Sequence, residues 1–219
     1  NKLMARIAVD IIANLEARLA TWNGGNMRNA IPRTCEAVFT VPAENVEEVK
    51  AIVAEYQDTF CNEYKGIEKG ITVTVESTET PETQIPEEIA DNVINAINAC
   101  HNGVLRYIPS IPEIVETSSN LAIVNIGDGK ASVKILARSA SESQKDYIAS
   151  VLESAFCMAG MKVTLSGSYG GWDPNPDSEM IKVMSAIYEC EFGNKPVVNV
   201  VHAGLECSVI LSKYPGLDI

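Results

Sequence analysis

The sequence predicts an α+β fold: two repeated α/β layers with a mostly antiparallel sheet, followed by a helix and a strand that stand apart as the remnant of an α/β domain. Three observations predict it. Apolar residues recur at helical spacing in several segments, short runs between them alternate with period two, and this order of elements occurs twice before a break near residue 169.

Composition narrows the function classes before any motif is considered. The chain has 219 residues, with 17 basic and 29 acidic side chains and a formal charge of −12. A surface of that sign repels a phosphate backbone, so no nucleic-acid partner is expected. The hydrophobic share is 46%, enough to bury a sizeable core. No apolar run approaches the roughly 20 residues that span a bilayer, so no membrane partner is expected either. Asn1-Lys2-Leu3-Met4 shows no basic stretch leading into an apolar block, the mark of a secretory leader. The six cysteines include no Cys-x-x-Cys, and several fall within apolar periodic segments. They are expected to be reduced and buried, as in a cytoplasmic protein.

The elements follow in order. Met4, Ile7, Ile11, Leu15 and Leu19 share one stripe, predicting an amphipathic helix from residue 3 to about 19, and a short extended piece follows around Leu19–Trp22. Gly24-Gly25-Asn26-Met27-Arg28-Asn29 is a turn or irregular loop. Cys35, Ala37, Phe39 and Val41 alternate as a strand that Pro42 ends. Val46, Val49, Val53, Tyr56 and Phe60 return to helical spacing, and Ile71, Val73 and Val75 alternate again. Residues 77–87, rich in Thr, Glu and Pro, form a solvated connection.

The order then repeats. Ile89, Val93, Ile94 and Ile97 mark a helix. Residues 120–126 and 131–138 make a hairpin closed by Gly127-Asp128-Gly129, residues that tolerate positive φ. Ser141 caps a helix that stops at Gly160. Met161 to Leu165 is the closing strand.

Composition changes at Tyr169-Gly170-Gly171-Trp172-Asp173-Pro174-Asn175-Pro176-Asp177, which divides the chain into residues 1–168 and 169–219. Beyond it, Met180, Val183, Met184 and Ile187 predict a helix. Pro196 to Val201 predicts a strand covered on both faces. A single such strand needs a sheet the remaining residues do not supply, so the chain reads as a piece of a larger protein.

Chemistry is sparse by spacing alone. A hydrolytic metal site needs three or more converging ligands, and His101 and His202 lie in unrelated segments. No nucleophile elbow, phosphate loop or dinucleotide fingerprint occurs. Arg138 reads as a solvated arginine or an anion ligand, and Asn29 as a loop-holding or a substrate-facing amide. His202 and Glu206 read as a structural pair at a sheet end or as site residues.

Five strings change the weighting: residues 24–33 (GGNMRNAIPR), 116–121 (ETSSNL), 137–139 (ARS), 171–178 (GWDPNPDS) and 202–207 (HAGLEC). In this order the chain resembles the aminoacyl-histidine, or cytosol non-specific, dipeptidases of the two-metal aminopeptidase-like clan, over nearly its whole length. The resemblance implies a lid over residues 1–168 and a return into a catalytic domain over 169–219. It implies two divalent ions of zinc type in the parent enzyme, with their ligands and a general-base glutamate outside residues 1–219. No metal ligand is therefore expected in this chain, and the chain alone is expected to be inactive.

The same resemblance implies that Asn29 hydrogen-bonds near the scissile group and that Arg138 takes the substrate's C-terminal carboxylate. It puts Glu206 near the substrate's amino end, and His202 is a further substrate-binding candidate. The implied partners are a dipeptide, the rest of the catalytic domain and a second copy in a homodimer; the implied compartment is the cytoplasm. An amino-acid-binding regulatory module and a dimerisation domain are the alternatives.

Overall fold

The structure is a computed structural model that describes residues 1–172, 174–203 and 205–219. Asp173 and Gly204, which belong to two of the strings above, lie outside the described residues. The chain forms two compact units: residues 1–101, 120–136 and 152–163 make the first, and residues 102–119, 137–151 and 164–219 the second.

In the first unit, helix α1 (Lys2–Leu15) ends where Glu16 turns left-handed at φ 52°. The predicted helix is therefore shorter, and Leu19 belongs to strand β1 (Arg18–Gly24). Ala17 and Leu19 are both buried, so one spacing served two elements: Leu19 lies four residues after Leu15 and two after Ala17. The Asn45 side chain donates to the Leu15 carbonyl at 3.0 Å, satisfying one acceptor that the helix end leaves open.

Strand β2 (Cys35–Thr40) pairs antiparallel with β1. A short 3-10 turn at Ala43–Asn45 leads into α2 (Val46–Glu63). Helix α3 (Glu87–Ala99) follows the connection and packs against α1. The core joins Ile7, Ile11, Leu15, Ala17, Val53 and Phe60.

Residues 71–75 are not a strand. The alternation is real, since Ile71 and Val73 pack on that core, but the backbone is held by a side chain instead of a ladder. Gln57 Nε2 donates to the Ile71 carbonyl at 3.1 Å, and the Val73 N–H donates to Gln57 Oε1. Residues 161–165 likewise form no strand; the preceding helix α4 (Glu142–Met158) closes with the Met161 N–H on the Phe156 carbonyl at 3.0 Å, and the chain continues without a ladder.

Strand β4 (Ile111–Gly127) gives residues 120–127 to the first unit, where Trp22 pairs with Ile126 and Gly24 with Val124. The predicted hairpin is present: Asp128 at φ 50° and Gly129 at φ 70° turn the chain into β5 (Lys130–Ser139), which pairs with β4. Both strands are longer than the alternation suggested.

The second unit takes β3 (Gly103–Ile108), which the sequence reading missed, and residues 111–119 of β4, its antiparallel partner. The ladder between them shifts register three times, between Val104 and Arg106, Arg106 and Tyr107, and Tyr107 and Ile108. Such bulges blur the period-two signal. This unit also holds the first part of α4 (Glu142–Met158), α5 (Glu179–Phe192) and α6 (Glu206–Lys213). Ser178 caps α5, accepting from the Ile181 N–H at 3.2 Å.

The expected buried strand at residues 196–201 is absent. Val197 is 82% exposed and Val198 58%, because a central strand needs ladders on both sides and no described residue of 164–219 forms one. The apolar stripe of α5 is likewise exposed at Met180, Val183, Met184 and Ile187. The cysteines are all free, as expected, but only Cys100 is buried; Cys61, Cys157 and Cys190 are exposed on helices α2, α4 and α5.

Gly25 bears directly on the loop that follows β1. It sits at φ +78°, and a Cβ there would lie 1.9 Å from the Ala122 carbonyl oxygen. Gly25→Ala combines left-handed strain with a backbone clash, a cost of about 3 kcal/mol. For a chain of this size that lowers Tm by roughly 6–12 °C. A thermal melt followed by circular dichroism checks it.

Candidate functional site

The site residues of the second unit are organised by the end of β5 against β4. Thr117 Oγ1 and Ser139 Oγ are 2.8 Å apart, and the Ala140 N–H donates to the Glu116 carbonyl at 3.0 Å. With Thr117 and Ser139 facing each other, alternation puts Ser118 and Arg138 together on the opposite face. Thr117 and Ser139 thus seat the strand, and Arg138 projects from it half-buried.

His202 comes to the same place. Its Nε2 is 2.7 Å from Ser118 Oγ, and its ring also hydrogen-bonds the Val115 backbone. Burial holds its pKa below the ordinary value of 6.5, the positive charge of Arg138 adds to that, and the Val115 bond opposes it. At neutral pH the imidazole is uncharged. His202 and Arg138 therefore lie close without sharing a second cation.

Glu116, a carboxylate of the neighbouring strand β4, is engaged elsewhere. It is only 5% exposed, with Arg106 Nε at 3.3 Å and the Thr117 hydroxyl donating to it at 3.3 Å. Among the described residues, none of the ion pairs involves Arg138. A half-buried guanidinium beside a neutral imidazole, with Glu116 of the neighbouring strand already paired, is suited to a planar anion such as a carboxylate.

Glu206 does not join this group through any hydrogen bond or ion pair among the described residues. It lies exposed in the first turn of α6, where a carboxylate complements the helix dipole. The segment around Trp172 is tied down: the Gly171 N–H donates to the Glu142 carboxylate, and Lys145 Nζ donates to the Tyr169 carbonyl at 2.8 Å. Lys145 first, then the Gly171 N–H, hold the Glu142 pKa down.

Asn29 belongs to the first unit. It stands exposed in a turn whose base is closed by the Gly25 N–H on the Thr34 carbonyl at 3.3 Å. Asn120 Nδ2 donates to the Arg28 carbonyl at 3.3 Å and the Ala30 carbonyl at 2.8 Å. Ser118 and Asn120 were assigned no role from sequence. The signal was there: five polar residues, 116–120, interrupt an apolar strand, and a polar run in a strand marks side chains with fixed partners.

Among the described residues no three His, Cys, Asp or Glu side chains converge as a metal site. The described residues therefore do not by themselves fit a bimetallic cluster.

The pKa direction of His202 has a consequence for folding. Its protonated form is disfavoured in the folded protein, so as pH falls below 6.5 the unfolded chain takes up the proton first. His202 therefore contributes stability that is full above 6.5 and declines toward its lower folded pKa. Urea melts at about pH 7.5 and about pH 5 are expected to show a smaller acid-side loss in His202→Gln than in the parent.

Residues 1–68 match the model of a peptidase dimerisation domain. The chain is 34% identical over 219 residues to the cytosol non-specific dipeptidase of Escherichia coli strain K12, covering 100% of this chain and 45% of that protein. It superposes with a TM-score of 0.94 and 34% identity on the crystal structure of aminoacylhistidine dipeptidase from Vibrio alginolyticus, over 99% of this chain and 44% of that one. The chain thus spans less than half the length of the dipeptidases it matches, and over that span it is similar to them in both sequence and fold.

Proposed function

We propose that this chain is the substrate-covering lid, residues 1–168, and part of the catalytic domain, residues 169–219, of a metal-dependent dipeptidase that cleaves Xaa-His and other short dipeptides. The observation that carries the reading is the Arg138 guanidinium, unpaired among the described residues beside neutral His202, in a chain similar end to end to dipeptidases. Arg138 holds the free C-terminal carboxylate, which selects short peptides. Asn29 donates near the scissile carbonyl, His202 stands beside Arg138, and Glu206 stands toward the amino end.

The two divalent ions, of zinc type, and their ligands belong to the rest of the parent protein. So does the partner for the exposed apolar residues Met184, Ile187, Phe192, Val197 and Val198, a patch that a folded domain covers. The match of residues 1–68 to a dimerisation domain supports a homodimer, and the name of the Escherichia coli relative supports a cytoplasmic location. No described helix is long and apolar enough to cross a membrane.

In the full-length protein, Arg138→Ala is expected to lower kcat/KM for a dipeptide by about 30- to 1000-fold, the loss of a charge-assisted contact of about 2–4 kcal/mol. Dipeptide amides, which lack the carboxylate, are expected to be poor substrates of both proteins alike. Steady-state kinetics with the paired substrates checks this, and an Arg138→Ala enzyme within twofold of the parent sinks the assignment. The 219-residue chain alone, incubated with zinc and a dipeptide, is expected to show no turnover.

A further inference from the structure

We infer that Asn120 is a positioning residue for Asn29, holding the loop tip in the conformation in which the Asn29 amide meets substrate. The inference rests on the proposed role of Asn29. Its own basis is geometric. The Asn120 amide nitrogen reaches the Arg28 carbonyl at 3.3 Å and the Ala30 carbonyl at 2.8 Å, one on each side of Asn29. An amide has two N–H groups, so a single side chain can serve both acceptors.

The tip has little else to hold it. Residues 26–29 are exposed. Within the loop the Ala30 N–H reaches the Met27 carbonyl at a long 3.4 Å, and the Gly25 N–H closes the base on Thr34 at 3.3 Å. Asn120 itself is set by strand β4, rigid relative to a turn, and two residues on Ala122 presents the carbonyl against which Gly25 is packed. The strand thus grips the loop twice, at its entry and at its tip. A displacement of about 1 Å at a group that acts in the transition state is enough to cost on the order of a hundredfold in rate.

The chemistry predicts how the loss would read. Asn29 is proposed to act at the scissile carbonyl, so disordering its loop lowers kcat and leaves KM, set by the Arg138 contact, nearly unchanged. Asn120→Asp keeps the size of the side chain and, ionised, has no N–H to donate to either carbonyl. Asn120→Ala removes the group altogether.

The test is a double-mutant cycle in the full-length protein, using Asn29→Ala, Asn120→Asp, Asn120→Ala and the combined Asn29→Ala/Asn120→Asp variant. The expected result is a fall in kcat of about tenfold or more for each single variant, with KM within about twofold. The double variant should be no slower than Asn29→Ala alone, a non-additivity that general destabilisation does not produce. Hydrogen exchange gives a readout independent of turnover: the Ala30 amide should exchange faster in Asn120→Asp while β1 and β4 amides keep their protection.

Three results would overturn the inference. Impaired Asn29→Ala beside Asn120 variants with parental kcat removes the positioning role and leaves the proposed function standing. A double variant slowed by the product of the two singles shows that Asn120 acts independently of Asn29. Parental kcat in Asn29→Ala removes the proposed role of Asn29 and this inference with it.

Discussion

A strand that carries polar side chains into a buried setting must find each of them a partner, and β4 is built around that constraint. Glu116, Thr117 and Ser119 are almost fully buried, and leaving one such group unsatisfied costs about 1–3 kcal/mol. Among the described residues no buried side-chain nitrogen or oxygen lacks a hydrogen bond. The partners are what organise the chain around the strand. Glu116 takes Arg106 from β3, Thr117 takes Ser139 from β5, Ser118 takes His202, and Asn120 takes the loop of Asn29. The residues that satisfy β4 are thus the ones that set, or stand next to, every proposed substrate contact except Glu206.

The first unit solves the same problem with one amide. Asn1 Nδ2 donates to the Leu121 carbonyl at 3.1 Å and the Gly24 carbonyl at 3.4 Å, while Trp22 Nε1 donates to Asn1 Oδ1 at 3.3 Å. Trp22 is wholly buried, so its indole N–H depends on that oxygen. Space for the amide comes from Gly24, where a Cβ would lie 1.9 Å from Asn1 Oδ1. The adjoining Gly25 then makes the close approach to Ala122. The paired glycines, which read in sequence only as a loop signal, therefore have distinct duties: one admits the amide that joins α1 to the sheet, and the other seats the loop on β4.

How far the sequence was legible follows from where order is local. Helices α2, α3, α4 and α5 and the 127–129 turn were readable because their determinants lie within a few residues: periodic apolar positions, Ser141 before α4, an Asp-Gly pair tolerant of positive φ. Strand β2 and the two hairpin strands were readable from alternation as well, but alternation alone did not tell which segments find a ladder. Residues 71–75 and 161–165 alternate like strands yet have no ladder, and β3 has a ladder whose bulges erase its alternation. The run at 196–201 is apolar enough for a sheet interior, but its exposed valines show that composition states a capacity for burial, which only neighbouring strands realise. At the site, the resemblance pointed to Arg138, Asn29 and His202, whereas Ser118 and Asn120 emerged only when the hydrogen bonds of β4 were assigned.

The electrostatics of the second unit completes the account of Arg138. A guanidinium near a buried carboxylate normally pairs with it, and such a pair resists an incoming anion because the ligand must displace an ion already in place. Here Arg106 occupies Glu116, so the strand's negative charge is spent on a different cation. His202, the other titratable neighbour, is kept neutral by burial and by Arg138 itself, so it adds no competing charge and draws none away. An anion arriving at Arg138 would relieve the part of the His202 pKa depression that comes from the guanidinium charge, while the larger part, due to burial, would remain. The acidic overall charge of −12 works against anion binding at long range, where salt screens it over about 8–10 Å. An Arg138 guanidinium that enters no ion pair among the described residues, beside a neutral His202, is the local arrangement on which the proposed carboxylate contact rests.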